Sequence, residues 1–176
     1  MYKRQYLGSI GHKRVATVTG PRITQWARDR LDGFRDGLAK YQAQLEWQYS
    51  QTDLPDFETG LAACDALMAD YAGRALPTAI WAQNDIIAAA VLKSLTNQGY
   101  RVPEDISLLG MDDIQLCTMV TPMLSTIHQP LREIAQESIR IIMENEPGAK
   151  PQPRRVFLTP TLQVRESTAP PNPVAD

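Results

Sequence analysis

Hydrophobic and polar positions along the chain follow two alternating patterns. Short apolar and β-branched runs predict strands, and stretches with an apolar residue at every third or fourth position predict amphipathic helices. The stretch 23–41, for example, places Ala27, Leu31 and Phe34 on one helical face. Strands are predicted at 14–20, 45–50, 77–83, 106–111 and 125–129, and helices at 23–41, 57–71, 85–98 and 131–146. This alternation is typical of an α/β fold with a doubly wound parallel sheet.

The last part of the chain departs from this rhythm. Prolines and a glycine at 147–153 break the chain, and the extended stretch 154–164 contains Pro160. Because proline lacks a backbone N–H, this stretch is confined to a sheet edge or a bent strand. The segment 169–176, with three prolines, is predicted to be a disordered tail.

The composition is that of an ordinary globular chain of 176 residues, 43% hydrophobic and 22% charged, with a net charge of -2. One domain or two small lobes is expected. The longest apolar run, 86–92, is far shorter than the roughly 20 residues that cross a bilayer, so we expect no membrane partner. The first residues do not resemble a secretory signal, which predicts a cytoplasmic location. Cys64 and Cys117 lie far apart in the sequence and are predicted to be reduced thiols, and no metal or cofactor is expected.

Basic residues are concentrated near the start of the chain. Residues 1–50 contain nine Lys or Arg against four Asp or Glu. On the predicted helix 23–41, however, Arg28, Arg30 and Arg35 are interleaved with aspartates, which is typical of a solvated helix face. We therefore expect no direct binding of nucleic acid by this chain.

Ligands of open parallel sheets bind beyond the carboxyl ends of the strands. The residues at these positions are 20–22, 51–53, 84–85 and 112–113, and none belongs to a recognisable catalytic motif. The chain is therefore not expected to be an enzyme. The adjacent carboxylates Asp112 and Asp113 fit an acid/base pair or a cation site, but a contact with a polar ligand is favoured.

Three other side chains each have two interpretations. Asn84 is placed to cap the following helix, and its amide can also orient a ligand hydroxyl. Arg30 is either a surface charge or a fork of donors for vicinal hydroxyls or a carboxylate. Trp81, in a strand that reads as buried, is either a core residue or an aromatic platform for a sugar ring.

Six segments carry a resemblance that covers roughly residues 6–171. In order they are 11–16 (GHKRVA), 30–34 (RLDGF), 77–85 (PTAIWAQND), 102–113 (VPEDISLLGMDD), 122–130 (PMLSTIHQP) and 164–168 (VREST). Together they resemble the effector-binding domain of the lactose-repressor/galactose-repressor (LacI/GalR) family of bacterial transcriptional regulators.

The resemblance implies a type I periplasmic-binding-protein-like fold, in which two α/β lobes close on a small molecule. By this resemblance, Arg30, Asn84 and Asp112 match positions that hydrogen-bond the effector, usually a sugar or a related metabolite. Gln129 lies near the cleft where the chain crosses between lobes, and Trp81 is a further candidate contact. The mixture of charged and amide groups is suited to paired hydroxyls.

The resemblance also implies an N-terminally truncated regulator that consists mostly of the C-terminal lobe. The DNA-reading headpiece is missing, so operator DNA and a homodimer are expected partners of the full-length protein. Residues 1–5 (MYKRQ) are expected to be non-native, because a transposon end used in sequencing libraries encodes this string. The implied parts are 6–124 in the C-terminal lobe, 125–151 as a strand and helix of the N-terminal lobe, and 152–168 as the return strand.

Several functions remain open at this point. The leading one is the effector-binding part of a sugar-responsive regulator. An alternative is the periplasmic sugar- or solute-binding protein of a transporter, which shares the fold and the cleft. An α/β enzyme would need a catalytic role for Asp112 and Asp113, and a purely structural module is a further alternative.

Overall fold

Strands and helices alternate along the chain as the hydrophobic pattern predicts. The structure, a computed structural model, describes residues 5–19, 25–50, 56–144 and 154–173, with side chains for all of these except 46–50. The helices are α1 (Tyr6–Ser9), α2 (Gln25–Ala39), α3 (Phe57–Asp70), α4 (Asp85–Asn97) and α5 (Leu131–Glu144). The strands are β1 (Arg14–Thr19), β2 (Gln44–Ser50), β3 (Ala79–Ala82), β4 (Ser107–Asp112), β5 (Ser125–His128) and β6 (Thr161–Gln163). A short 3-10 helix, Gln115–Thr118, follows β4.

These strands form a six-stranded sheet in the order β2-β1-β3-β4-β5-β6. All neighbouring pairs from β2 to β5 are parallel, and β6 runs antiparallel to β5. The short strand β6 begins directly after Pro160 and lies at the sheet edge, as the proline predicts.

Helices cover both faces of the sheet. Successive side chains of a strand point in opposite directions, so each face of the sheet carries apolar side chains that a helix buries. Along β1, Ala16 and Val18 join one buried cluster, whereas Val15 joins the other. Helices α3 and α4 complete the first cluster, and α2 completes the second, where Phe34 stacks on Trp81. The predicted α/β fold with a doubly wound, mostly parallel sheet is confirmed. None of the helices in the described ranges is long and apolar enough to cross a membrane.

The strand that was predicted to belong to an N-terminal lobe lies in this same sheet. β5 pairs in parallel with β4, from Leu109 opposite Ser125 to Asp112 opposite His128. The assignment of β5, as part of the segment 125–151, to another lobe is therefore wrong. Its backbone groups form hydrogen bonds in this sheet, and its buried side chains pack here. Helix α5 differs, since none of its 14 residues is buried, and its place in another lobe stays a prediction.

The chain after β6 is attached to the sheet by hydrogen bonds. Ser167 donates its hydroxyl to the carbonyl oxygen of Leu108 at 2.6 Å, and Ser107 donates its hydroxyl to the carbonyl oxygen of Ala169 at 2.9 Å. The predicted disorder of 169–176 is thus wrong at Ala169, because β4 supplies partners that composition does not reveal. Residues 174–176 lie outside the described residues, as do residues 1–4 of the predicted non-native start and the predicted break at 147–153.

His12 connects the start of the chain to this returning segment. Its ring is fully buried, and Nε2 lies 2.9 Å from the carbonyl oxygen of Ala169 while Nδ1 lies 2.9 Å from Oγ1 of Thr78. Because a carbonyl oxygen only accepts, Nε2 carries a hydrogen. Burial lowers the pKa of His12, and the hydrogen bond to Ala169 opposes this effect. The folded protein therefore favours the neutral imidazole.

We predict that acidification destabilises the fold through His12. Its pKa is lower in the folded chain than in the unfolded one, so the unfolded chain binds more protons as the pH falls below about 6.5. The free energy of unfolding is retained above that pH and decreases below it. Urea unfolding followed by circular dichroism at pH 7.5 and 5.5 measures this decrease. It should be smaller in His12→Asn, and an equal decrease in both proteins would contradict the assignment.

Candidate functional site

Polar side chains from separate elements meet at the carboxyl edge of the sheet. Asn84 follows β3, Asp112 ends β4, and Gln129 follows β5. Arg30 reaches the same edge from α2. The carboxyl ends of the parallel strands lie at one edge of the sheet, as the sequence predicts. The candidate positions 20–22 and 51–53 lie outside the described residues.

Asp112 is the centre of this cluster. Its Oδ1 accepts hydrogen bonds from Nε2 of Gln129 and from Arg30, whose guanidinium nitrogen lies 3.4 Å away. Arg30 donates a second hydrogen bond to the carbonyl oxygen of Gln83 at 3.2 Å. The structure therefore brings together Arg30, Asp112 and Gln129, three of the predicted ligand residues.

Burial and ion pairing have opposite effects on the charge of Asp112. The side chains of Arg30 and Asp112 retain 18% and 26% of their exposure, so the pair is neither dry nor fully solvated. Burial raises the pKa of Asp112, while the charge of Arg30 and the hydrogen bond from Gln129 counteract the rise.

Asn84 caps helix α4, which confirms one of its two interpretations. Its backbone is extended, and its Oδ1 accepts a hydrogen bond from the backbone N–H of Ile87 at 2.7 Å. The cap fixes the amide group of Asn84 at the same sheet edge as Asp112. A role of this amide in ligand binding stays a prediction.

Trp81 is a core residue. Its side chain is 2% exposed, and its ring stacks on Phe34 with centroids 4.4 Å apart and planes 19° apart. The predicted sugar platform at Trp81 is wrong, because residue alternation along β3 directs this ring beneath α2 rather than toward the strand ends. A cavity of about 670 Å³ lies between α2 and the sheet beside Trp81, and its lining includes Arg30 but neither Asp112 nor Gln129.

The backbone around Asp112 adopts an unusual conformation. Asp112 and Asp113 have φ values of 121° and 62°, a region that residues other than glycine enter at an energetic cost. Asp113 faces away from the cluster, toward Arg165 at 2.6 Å and Nδ1 of His128 at 2.9 Å. The two adjacent carboxylates therefore serve different sets of partners.

Asp85 holds this strained loop, a role that the sequence analysis missed. Its carboxylate is buried and accepts hydrogen bonds from Oγ1 of Thr126 at 2.6 Å and from the backbone N–H of Ile114 at 3.0 Å. These partners belong to β5 and to the loop after β4. The only sequence signal is that Asp85 directly follows a helix cap, and aspartate is common in that first turn for helix-dipole reasons alone.

Gly110 makes room for Asp85. A Cβ built on Gly110 would lie 2.3 Å from Oδ1 of Asp85, too close for any real contact. Any shift of the carboxylate would disturb its hydrogen bonds to Thr126 and Ile114. Glycine at this position of β4 is therefore a steric requirement of the loop.

We predict that Gly110→Ala lowers the free energy of unfolding by about 1–3 kcal/mol, because the added methyl group displaces a buried, hydrogen-bonded carboxylate. Urea unfolding measures the change. Thr126→Val, which removes one hydrogen bond but keeps the side-chain shape, is the matched comparison and should cost less. A Gly110→Ala protein as stable as the parent would show that Asp85 is not fixed in this position.

Comparisons with known proteins agree with this geometry. The profile of the periplasmic binding protein-like domain family matches residues 5–168. The chain is 34% identical over 163 residues to the ribose operon repressor of Escherichia coli (strain K12), an alignment that covers 93% of this chain and 48% of the repressor. It therefore spans about half the length of the curated relatives it matches.

Solved structures show the same similarity. A LacI family transcriptional regulator from Enterococcus faecium with bound ribose has a TM-score of 0.79 and 28% identity, and the match covers 96% of this chain and 61% of that one. A dimeric Lac repressor with a C-terminal deletion has a TM-score of 0.81 and 27% identity, with 96% and 60% of the two chains covered.

Proposed function

Because this chain belongs to the periplasmic binding protein-like domain family, we propose that it is the effector-binding part of a DNA-binding transcriptional regulator and that its effector is a sugar. The resemblance to the lactose-repressor/galactose-repressor family is confirmed, since the relatives are LacI-family regulators and a ribose operon repressor. The ribose operon repressor is a transcriptional repressor by name, which favours the regulator over the periplasmic solute-binding alternative.

One observation carries the choice of ligand. Arg30, Asp112 and Gln129 converge at the carboxyl edge of the sheet, with a guanidinium, a carboxylate and an amide within hydrogen-bonding reach of one another. Such a set binds vicinal hydroxyls, because the carboxylate accepts from two hydroxyl groups while the guanidinium donates to their oxygens. A sugar offers these hydroxyls on one side of its ring.

The exposed face of α5 supports a second lobe in the full-length protein. Four apolar side chains of this helix, Leu131, Ile139, Ile142 and Met143, are 57%, 61%, 69% and 79% exposed. A monomeric surface rarely leaves so many apolar side chains uncovered on one helix. We propose that a second lobe of the sensor, which would close over Arg30 and Asp112, packs against this face.

The loop at Asp112 and Asp113 offers a route by which a bound effector would influence the rest of the regulator. Asp112 faces the ligand cluster, and Asp113 pairs with Arg165 and His128. His128 pairs with Thr161 in the sheet, at the place where the chain leaves toward α5 and returns as β6. Closure around a sugar would thereby bias the arrangement of the lobes, which is a coupling free energy between two sites.

A second apolar surface fits a homodimer. Phe57 and Ile86 lie in the first turns of α3 and α4, and Met119 follows the 3-10 helix that packs beside α4. Their exposed fractions are 38%, 36% and 70%. A two-fold interface needs one self-complementary patch, and these neighbouring helix ends supply it on the face of the sheet opposite α2. The dimeric Lac repressor is the relevant precedent among the similar structures.

We predict that Arg30→Ala and Asp112→Ala, introduced into the full-length regulator, each weaken the sugar response by about 1–3 kcal/mol, the usual cost of losing a charged hydrogen bond. Release of operator DNA during titration with D-ribose, D-glucose or cellobiose gives the midpoint to compare. Arg28→Ala, which removes a neighbouring exposed arginine of α2, is the control and should leave the midpoint unchanged. Unshifted midpoints in both site variants would refute the site assignment.

We predict that Met119→Glu converts the full-length dimer to monomers, because it places a charge within an apolar two-fold contact. Sedimentation velocity measures the molecular mass in solution. Arg35→Glu, on the opposite face of the sheet, is the control and should remain dimeric. A Met119→Glu protein that keeps the dimeric mass would exclude this surface as the interface.

A further inference from the structure

Trp26 stands at the edge of the sheet where the ligand cluster lies. It is the second residue of α2, and α2 follows β1, so its first turn lies beyond the carboxyl ends of the parallel strands. The side chain is 49% exposed, although an indole offers more apolar surface than any other side chain. This exposure is unexpected for a residue whose helix otherwise buries its apolar face.

The indole of Trp26 is physically attached to the cluster through Arg30. The guanidinium carbon of Arg30 lies 4.8 Å from the centroid of the Trp26 ring system, within the range of a cation–π contact. The same guanidinium donates to Asp112 and to the carbonyl oxygen of Gln83. One face of the indole therefore rests on the ligand-binding arginine, and the exposed remainder lies beside it.

The cluster needs an apolar surface to recognise a sugar ring. A pyranose or furanose has a hydroxyl-bearing edge and a flat C–H face, and the second favours contact with an aromatic ring. The polar groups of the cluster, on Arg30, Asp112 and Gln129, can form hydrogen bonds only with the hydroxyl-bearing edge. Trp81 cannot serve the C–H face because its own ring is 2% exposed and stacked on Phe34.

We infer that Trp26 supplies the stacking face for a cyclic sugar whose hydroxyls are bound by Arg30 and Asp112. The inference rests on the proposed function, and it narrows the ligand to the ring form of a sugar. An acyclic polyol with the same hydroxyls lacks the flat C–H face and gains nothing from the indole. Trp26 thus determines specificity, and Arg30 and Asp112 provide hydrogen bonds common to both classes.

A matched pair of ligands tests this role in the full-length protein. Calorimetric titration with D-ribose and its reduced form ribitol, and with D-glucose and glucitol, compares each ring with its open chain. Trp26→Ala is expected to weaken binding of the ring sugar about tenfold and to leave the weaker binding of the polyol within about twofold. Trp26→Phe keeps an aromatic face and should restore most of the affinity, whereas Trp26→Leu should not.

A fluorescence measurement separates stacking from mere support of Arg30. Acrylamide quenching of the parent protein should decrease when the bound sugar covers Trp26, and this protection should be absent in Trp26→Phe. If Trp26 only positions Arg30, its substitution would weaken ring sugar and polyol by the same factor, and this result would overturn the inference.

The outcomes also distinguish this inference from the proposed function. Loss of sugar binding in Arg30→Ala together with unchanged binding in Trp26→Ala would overturn the inference and support the function. Absence of binding of every ring sugar by the parent protein would overturn both. A ring-selective loss in Trp26→Ala supports both.

Discussion

The buried carboxylate of Asp85 is the interaction on which the ligand edge of this protein depends. A buried charge is tolerated only where hydrogen bonds satisfy its oxygens, and the partners of Asp85 are β5 and the loop after β4. Asp85 itself begins α4, so a single side chain joins the helix to two neighbouring segments of the sheet edge. Gly110 completes the arrangement, because a Cβ at this position would overlap the carboxylate.

The position of Asp112 follows from this constraint. Asp85 accepts a hydrogen bond from the backbone N–H of Ile114. The preceding residues Asp112 and Asp113 adopt positive φ values that direct their two carboxylates to different partners. Asp112 joins Arg30 and Gln129, and Asp113 joins Arg165 and His128. A preorganised carboxylate binds a ligand without the cost of ordering a loop. The strain in the backbone is the cost of that order, and it is stored at the functional edge of the sheet.

The two tryptophans illustrate how position in the fold decides the use of one side chain. Trp81 lies in the middle of the sheet, where alternation along β3 directs it against Phe34, and its surface contributes to the core. Trp26 lies in the first turn of a helix at the ligand edge, where its surface stays partly exposed beside Arg30. From the sequence alone, Trp81 is either a core residue or an aromatic platform, and Trp26 carries no signal that distinguishes it from other helix residues.

The sequence by itself determined the order of strands and helices, the cap at Asn84, the edge position of β6 and the family, because these depend on local periodicity, on single residues or on ordered motifs. Parallel strand ends also placed Asn84 and Asp112 at one edge of the sheet, and the family resemblance added Arg30 and Gln129 to them. The tertiary structure decided the rest. Asp85 meets Thr126 and Ile114 across 41 and 29 residues, and β5, which the resemblance assigned to another lobe, pairs with β4. Such contacts depend on which strands become neighbours in the sheet. Hydrophobic periodicity indicates which residues are buried, but it does not indicate which other residues they pack against.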